Sequence, residues 1–186
     1  EPTELRRALI EGDVDLALGA FLEFKGDNLY EQTLFSQGFA CVLRKDHPSI
    51  GDTISVEQFL QAGHAVVAQE GGSQALFERK LQELGYRRRI VLRSPHFMSV
   101  PLLLSQSNLI ATVPLAVGRI YAKLANLRVL PVPFEVPTVY LKQCWHRRGH
   151  GDPASIWFRK LVASLFVGRD PTQAEDSILW SRFNAQ

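Results

Sequence analysis

Between residues 65 and 130, short apolar runs and helical patterns succeed one another in strict alternation, and nothing else in the chain limits its fold so severely. Residues 65–68, 90–92, 109–113 and 127–130 read as short buried strands. Between them lie a helix opening at Gly71-Gly72-Ser73 and closing at Leu84, one over 97–105 entered through Pro95, and one from Pro114 to about Leu124. Gly85 suits the position just past a helix C-terminus, and Pro114 the first helical position. Strands alternating with helices in this way predict parallel βαβ units with helices on both faces of a sheet.

The flanks differ in character. Residues 3–11 predict a helix capped by Thr3, striped by Leu5, Leu9 and Ile10, and stopped by Gly12. Residues 14–18, 28–35 and 38–43 predict strands, and 56–60 a short helix. The stretch Pro131-Val-Pro-Phe-Glu-Val-Pro137 predicts a connector, because proline lacks the N–H that a sheet ladder needs. A strand over 139–145 follows, then a helix over 152–166. Asp152 caps that helix, Pro153 begins it, and Ile156, Trp157, Leu161, Leu165 and Phe166 make its apolar face. Beyond Gly168 the chain is polar apart from Ile178, Leu179, Trp180 and Phe183. The regular block is therefore bracketed by segments that begin one α/β lobe and return to it. Two lobes joined by a double crossing make a cleft, and a cleft predicts a ligand.

Composition sets the outer limits. At 186 residues, 46% hydrophobic and 22% charged, the chain fits a soluble globular protein of one domain or two small lobes. The 21 basic and 19 acidic residues leave a net charge of +2, without the basic footprint of a nucleic-acid-binding face. No apolar run reaches the roughly 20 residues of a membrane span. The opening Glu1-Pro-Thr-Glu is unlike a signal peptide. Two cysteines are too few for a disulfide scaffold, which favours a reducing cytoplasm.

Six blocks together resemble the effector-binding domain of LysR-type transcriptional regulators. They are Gly12-Asp-Val-Asp-Leu-Ala-Leu-Gly19, Leu34-Phe35, Leu43-Arg-Lys-Asp-His-Pro48, Pro95-His-Phe97, Leu109-Ile-Ala-Thr-Val-Pro114, and Trp145-His146 with Asp152-Pro153. They span residues 3 to about 167, and the last three look most like the branch of nodulation and aromatic-catabolism regulators. The resemblance implies an α/β fold of two Rossmann-like lobes joined by two crossing segments, similar to type II periplasmic binding proteins. Lobe I is expected at 1–42 and 141–186, and lobe II at 43–140. The family's effector domain opens with a strand and helix that this sequence lacks, so lobe I is expected to be incomplete. The resemblance further implies a small organic acid or aromatic effector, no cofactor, no metal and no catalysis. DNA would be bound only through an N-terminal winged helix-turn-helix absent from this chain. No membrane is involved, and a homodimer or tetramer in the cytoplasm is expected.

In open α/β sheets ligands bind beyond the carboxyl ends of the strands. Gly71, Gly72, Ser73 and Gln74 open a helix there, offering free backbone N–H groups to a carboxylate or phenolate oxygen. Ser73 equally suits a plain helix cap. His96 would donate a hydrogen bond or a charge to an acidic effector, and Phe97 would give an aromatic wall. The alternative is a histidine satisfied by backbone, with Phe97 in the core. Thr112 and Pro114 close the next strand, either lining the cleft or simply making a strand-to-helix turn. From lobe I, Gly19, Ala20 and Phe21 follow a strand end and suit an apolar ligand body, although Phe21 equally suits the core.

Other clusters are weaker. His146, His150 and Asp152 imitate a metal set, but the intervening glycines argue against one rigid face. Gly71-Gly-Ser-Gln lacks the Gly-x-Ser-x-Gly pattern of a serine hydrolase. Arg87-Arg88-Arg89 reads as a solvated turn, and Cys41 and Cys144 as buried thiols on neighbouring crossing segments. Two competing functions keep the same fold. A transport solute-binding protein would carry an export signal, and an enzyme would need an acid–base pair, for which His96 with Glu70 is the one nomination.

Overall fold

The computed structural model of the chain describes residues 2–21, 28–67 and 72–168; Glu70, Gly71 and the tail beyond Gly168 lie outside them. The chain opens with α1 (Pro2–Glu11), β1 (Ala17–Gly19) and β2 (Leu29–Gln37). Next come β3 (Phe39–Arg44), α2 (Val56–Gln61), β4 (Gly63–Val67), α3 (Gly72–Glu83), β5 (Arg89–Ser94) and α4 (Val100–Ser105). Then follow β6 (Leu109–Pro114), α5 (Leu115–Leu124), β7 (Leu127–Pro131), β8 (Val139–His146) and α6 (Pro153–Phe166).

The strands form two sheets. One has three strands in the order β1-β8-β2, antiparallel throughout. The other has five, in the order β5-β4-β6-β3-β7. Within it β4 runs parallel to β5 and β6, as the alternating pattern predicts, whereas β3 runs against both β6 and β7. The departure has a simple origin: β3 arrives directly from the other sheet, without a helical crossover to reverse its direction.

Burial explains the sequence of each strand. The central strands β3 and β4 are apolar along nearly their whole length because helices cover both faces. On one face Phe39, Cys41 and Leu43 meet Phe59, Phe77, Leu81 and Ile110, beneath α2 and α3. On the other, Val42 meets Val67, Val100, Leu104, Val113 and Tyr121, beneath α4 and α5. In contrast, β2 is mostly exposed, and the core of its sheet is a small cluster around Leu9, Ala17 and Cys144.

Local chemistry fixes the ends. Ser55 and Gln58 make a reciprocal capping box on α2, at 3.2 and 2.9 Å. Asp152 Oδ2 accepts from Ser155 N at 2.7 Å at the start of α6, as predicted. Arg148 donates to the Leu9 and Ile10 carbonyls at 3.1 and 3.2 Å, closing the end of α1.

Three elements differ from expectation. The strand expected over 14–18 begins only at Ala17, because Val14 N still bonds the Ala8 carbonyl at 3.2 Å and its side chain packs with the Leu9 cluster. Pro114 is the last residue of β6 and the N-cap of α5 rather than its first residue. The helix expected over 97–105 is a single 3-10 turn, Phe97–Ser99, followed by α4, with Pro101 in its first turn. Strand pairing passes from one sheet to the other at Gly38, since Gln37 pairs with Val139 and Phe39 with Pro114.

Candidate functional site

The two sheets meet where the chain crosses between them. Gly38 stands at the outgoing crossing, and a Cβ there would lie 3.8 Å from Val136 Cγ2 on the returning connector. The outgoing crossing also closes the start of α5. Gly38 O accepts from Leu115 N at 3.0 Å, and Gln37 Oε1 accepts from Ala116 N at 2.8 Å. Those two helix-start amides are therefore taken by the protein itself, and Pro114 is buried at the joint. The Gln37 contact was not legible, because it spans 79 positions of sequence.

A second meeting point joins β1 to α3. Gly72 has φ +67°, a conformation that glycine adopts without strain, and a Cβ on it would sit 3.7 Å from the Ala20 carbonyl oxygen. Ala20 itself packs against the core under α3. Gly19 is covered by the Phe21 ring, which would lie 2.9 Å from any Cβ there. Phe21 packs toward Leu9, Ala17 and Cys144. Ser73 is half-buried in the first turn of α3, and Gln74 is buried. The expected Gly71 lies outside the described residues.

Along α3 runs a part-buried polar chain. Gln74 Nε2 donates to Glu78 Oε1 at 3.1 Å, and Arg88 Nη2 donates to the same oxygen. Far from being solvated, the Arg88 side chain is only 3% exposed, and its guanidinium carbon lies 5.3 Å from the centre of the Phe77 ring. Its neighbours Arg87 and Arg89 point outward. A run of three arginines does not reveal which one turns inward, so nothing in the sequence marks Arg88.

Thr112 faces the same layer, paired in register with Cys41. Its Oγ1 makes no ordinary hydrogen bond among the described residues, though it lies close enough to the Cys41 thiol to hold its pKa down slightly. Burial dominates and pushes that thiol up to about 12; burial does the same to Cys144. Both thiols are therefore neutral and poor nucleophiles. They lie in different sheets, Cys41 beside Thr112 and Leu130 and Cys144 beside Ala17 and Glu31, so they are not neighbours. His64 is fully buried, donates through Nε2 to the Phe59 carbonyl at 2.7 Å, and is held by burial near a pKa of 4.

His96 and Phe97 follow the end of β5, beside the edge where β4 ends. The His96 ring is exposed and makes no hydrogen bond among the described residues, while its backbone is held by Ser94 and Ser99. Phe97 packs into the core beneath α4 and α5, on the opposite sheet face from Thr112 and Gln74. Among the expected residues, Ala20, Gly72, Gln74 and Thr112 thus gather around α3; Phe97 lies on the opposite sheet face, and His96 follows β5 at the sheet edge where Ser94 pairs with Val67.

The histidines near α6 have structural partners. Trp145 Nε1 meets His150 Nδ1 at 3.3 Å, Arg148 N donates to His146 Nδ1 at 3.3 Å, and Asp152 is the α6 cap. Arg159 lies 4.5 Å over the Trp145 ring and ties down the Gly149 and His150 carbonyls. No group of three His, Cys, Asp or Glu side chains among the described residues is arranged to hold a metal ion.

Two α/β layers joined by adjacent crossings, with an inserted antiparallel strand in the larger, match one known architecture along nearly the whole chain. The LysR substrate binding domain family matches residues 1–166. The chain belongs to that family. It is 33% identical over 163 residues to the HTH-type transcriptional activator NahR of Pseudomonas putida, which covers 88% of this chain and 54% of that protein. It is 32% identical over 162 residues to the activator NagR of a Ralstonia species, covering 87% of this chain and 54% of that one. The chain spans about half the length of these curated relatives. Among solved structures, a putative transcriptional regulator from Vibrio parahaemolyticus superposes with a TM-score of 0.76 at 28% identity, covering 88% of this chain and 75% of that one. The effector-binding domain of QuiR, solved in complex with shikimate, gives a TM-score of 0.72 at 17% identity over 87% of this chain and 76% of its own. That last likeness is one of fold: the type II periplasmic-binding-protein-like arrangement of LysR effector domains.

Proposed function

We propose that this LysR substrate-binding domain senses a small organic acid, aromatic or aliphatic, held between its two sheets. The observation that carries this reading is the approach of Gly72, at the start of α3 in one sheet's layer, to the carbonyl of Ala20 at the end of β1 in the other. A ligand at that junction touches both layers at once, so its affinity depends on how they are set relative to each other. Such a ligand shifts the equilibrium between arrangements by its differential affinity for them. The lobes are taken to divide at Gly38 and along residues 132–138, where the strand pairing changes sheets.

Gly72, Ser73, Gln74 and Gly71 would supply amide and side-chain donors to the acid, Ala20 and Gly19 the apolar floor, and Thr112 a hydroxyl from below. His96 would act from the rim. Phe21 and Phe97 would shape the core behind the site rather than contact the ligand, given their packing. The kinship with NahR and NagR, both transcriptional activators, supports a regulatory role with DNA bound by another part of the full protein. A cytoplasmic homodimer or tetramer without catalytic activity fits that role. No described helix is long and apolar enough to cross a membrane. The relatives named above are activators and regulators, which disfavours the transport alternative.

Thermal-shift and calorimetric titration with a panel of aromatic and aliphatic carboxylic acids, shikimate among them, tests the reading. At least one acid should raise the melting temperature saturably, and Gly72→Val should abolish the response by straining a backbone held at φ +67°, which a β-branched residue rarely adopts. No stabilisation by any acid, or an unchanged response in the variant, contradicts it.

A further inference from the structure

Arg88 is the buried group that the reading above leaves unused. Its one ionic partner among the described residues is Glu78 Oε1, an oxygen already shared with Gln74 Nε2, and the Glu78 side chain is 37% exposed. Arg88 Nε and Nη1 have no partner among the described residues. A buried guanidinium served by a single shared oxygen is an expensive arrangement, since an unmet charged donor costs more than a neutral one.

The surroundings add positive charge. The charged groups that act on Arg88 and its neighbour His64 are Glu78 from α3, with Arg89 and Arg93 from β5. Arg88 pairs one to one with Glu78, and Arg89 and Arg93 are exposed, so the further charge acting on Arg88 is the solvated cation of Arg93. His64 and Cys41, from β4 and β3, contribute none, because burial keeps both neutral. Water would satisfy the unused Arg88 hydrogen bonds but would not offset the charge.

We propose that a monovalent anion, either a free halide or a small carboxylate, binds beneath α3 against the unused N–H groups of Arg88. The site belongs to the five-stranded half alone and stands whether or not a ligand binds between the sheets. Charge-assisted hydrogen bonds from a buried guanidinium supply affinity that a surface arginine lacks. Glu78 competes for the same cation, so it weakens the anion rather than helping to hold it.

Chloride NMR line width and carbon-13-labelled acetate line width, each measured with the whole chain, test this directly. One or both probes should broaden saturably, and Arg88→Lys should raise the half-saturating concentration about tenfold, the loss expected for one charge-assisted hydrogen bond. Broadening of chloride that acetate relieves identifies a free-anion site; broadening of acetate alone identifies a carboxylate site. Glu78→Gln, which retains Arg88, should tighten binding about tenfold by removing the competing carboxylate. No broadening of either probe, broadening indifferent to Arg88→Lys, or no tightening in Glu78→Gln overturns the proposal.

Discussion

The two halves of this molecule are stabilised in different ways. The five-stranded half is a sheet buried on both faces, with aromatic anchors Phe59 and Phe77 on one side and Tyr121 on the other. The three-stranded half is an antiparallel ribbon around β8, with β2 largely exposed and only Leu9, Ala17 and Cys144 in its buried cluster. Its precision comes instead from polar ties: Arg148 on the end of α1, Arg159 over Trp145, and the Asp152 cap. One half is a rigid platform, and the other is positioned against it by a few directional contacts. That division suits a sensor, because the less deeply packed half reorients at lower cost.

The largest expected effect breaks the platform. Phe77→Ala removes a fully buried ring that contacts Phe39, Phe59 and Phe134, and should cost about 4 kcal/mol in denaturant unfolding. A cost below about 1 kcal/mol would mean that the core under α3 is not the main source of stability.

The next effect depends on pH. Burial holds His64 near a pKa of 4 against an ordinary 6.5, so the unfolded chain takes up the proton first as pH falls. Stability is intact above the unfolded value, is lost between about pH 6.5 and 4, and falls no further through this group below that. The loss should total roughly 3 kcal/mol at about 1.4 kcal/mol per unit. Urea unfolding across that range should show the slope in the native chain and a flattened one in His64→Phe. Glu78, Arg88 and Arg89 also act on this histidine, so their variants should move the midpoint.

The smallest effect sharpens the other side of the comparison. Asp152→Ala removes the cap on α6 and should cost about 1 kcal/mol. Its local opening, read by hydrogen exchange, should be confined to the three-stranded half. Exchange that also rises in β4 and β6 would show the halves to be a single cooperative unit.

Legibility followed the same divide. The parallel core was readable because strands buried on both faces are apolar and lie between helices with clear stops, as at Gly85, whose φ is +70°. The Asp152-Pro153 start of α6 was readable for a similar reason, since capping is written within four residues. The insertion of β3 between β6 and β7 was not, because register and direction depend on partners about 70 to 90 residues away. The candidate site was legible in part. The helix opening at Gly72 was readable, but its proximity to Ala20 was not, and Phe97 turned into the opposite core while Arg88 turned inward from an arginine run. Side-chain direction in such loops is set by tertiary packing, which local pattern does not encode.

Hydrogen exchange with and without the most stabilising acid is the most direct measurement of whether a ligand bridges the two sheets. The amides of Ala20 and Phe21 should slow together with those of Ser73 and Gln74. Protection of one pair without the other, or of neither while the acid still stabilises the chain, would contradict a ligand held between the halves.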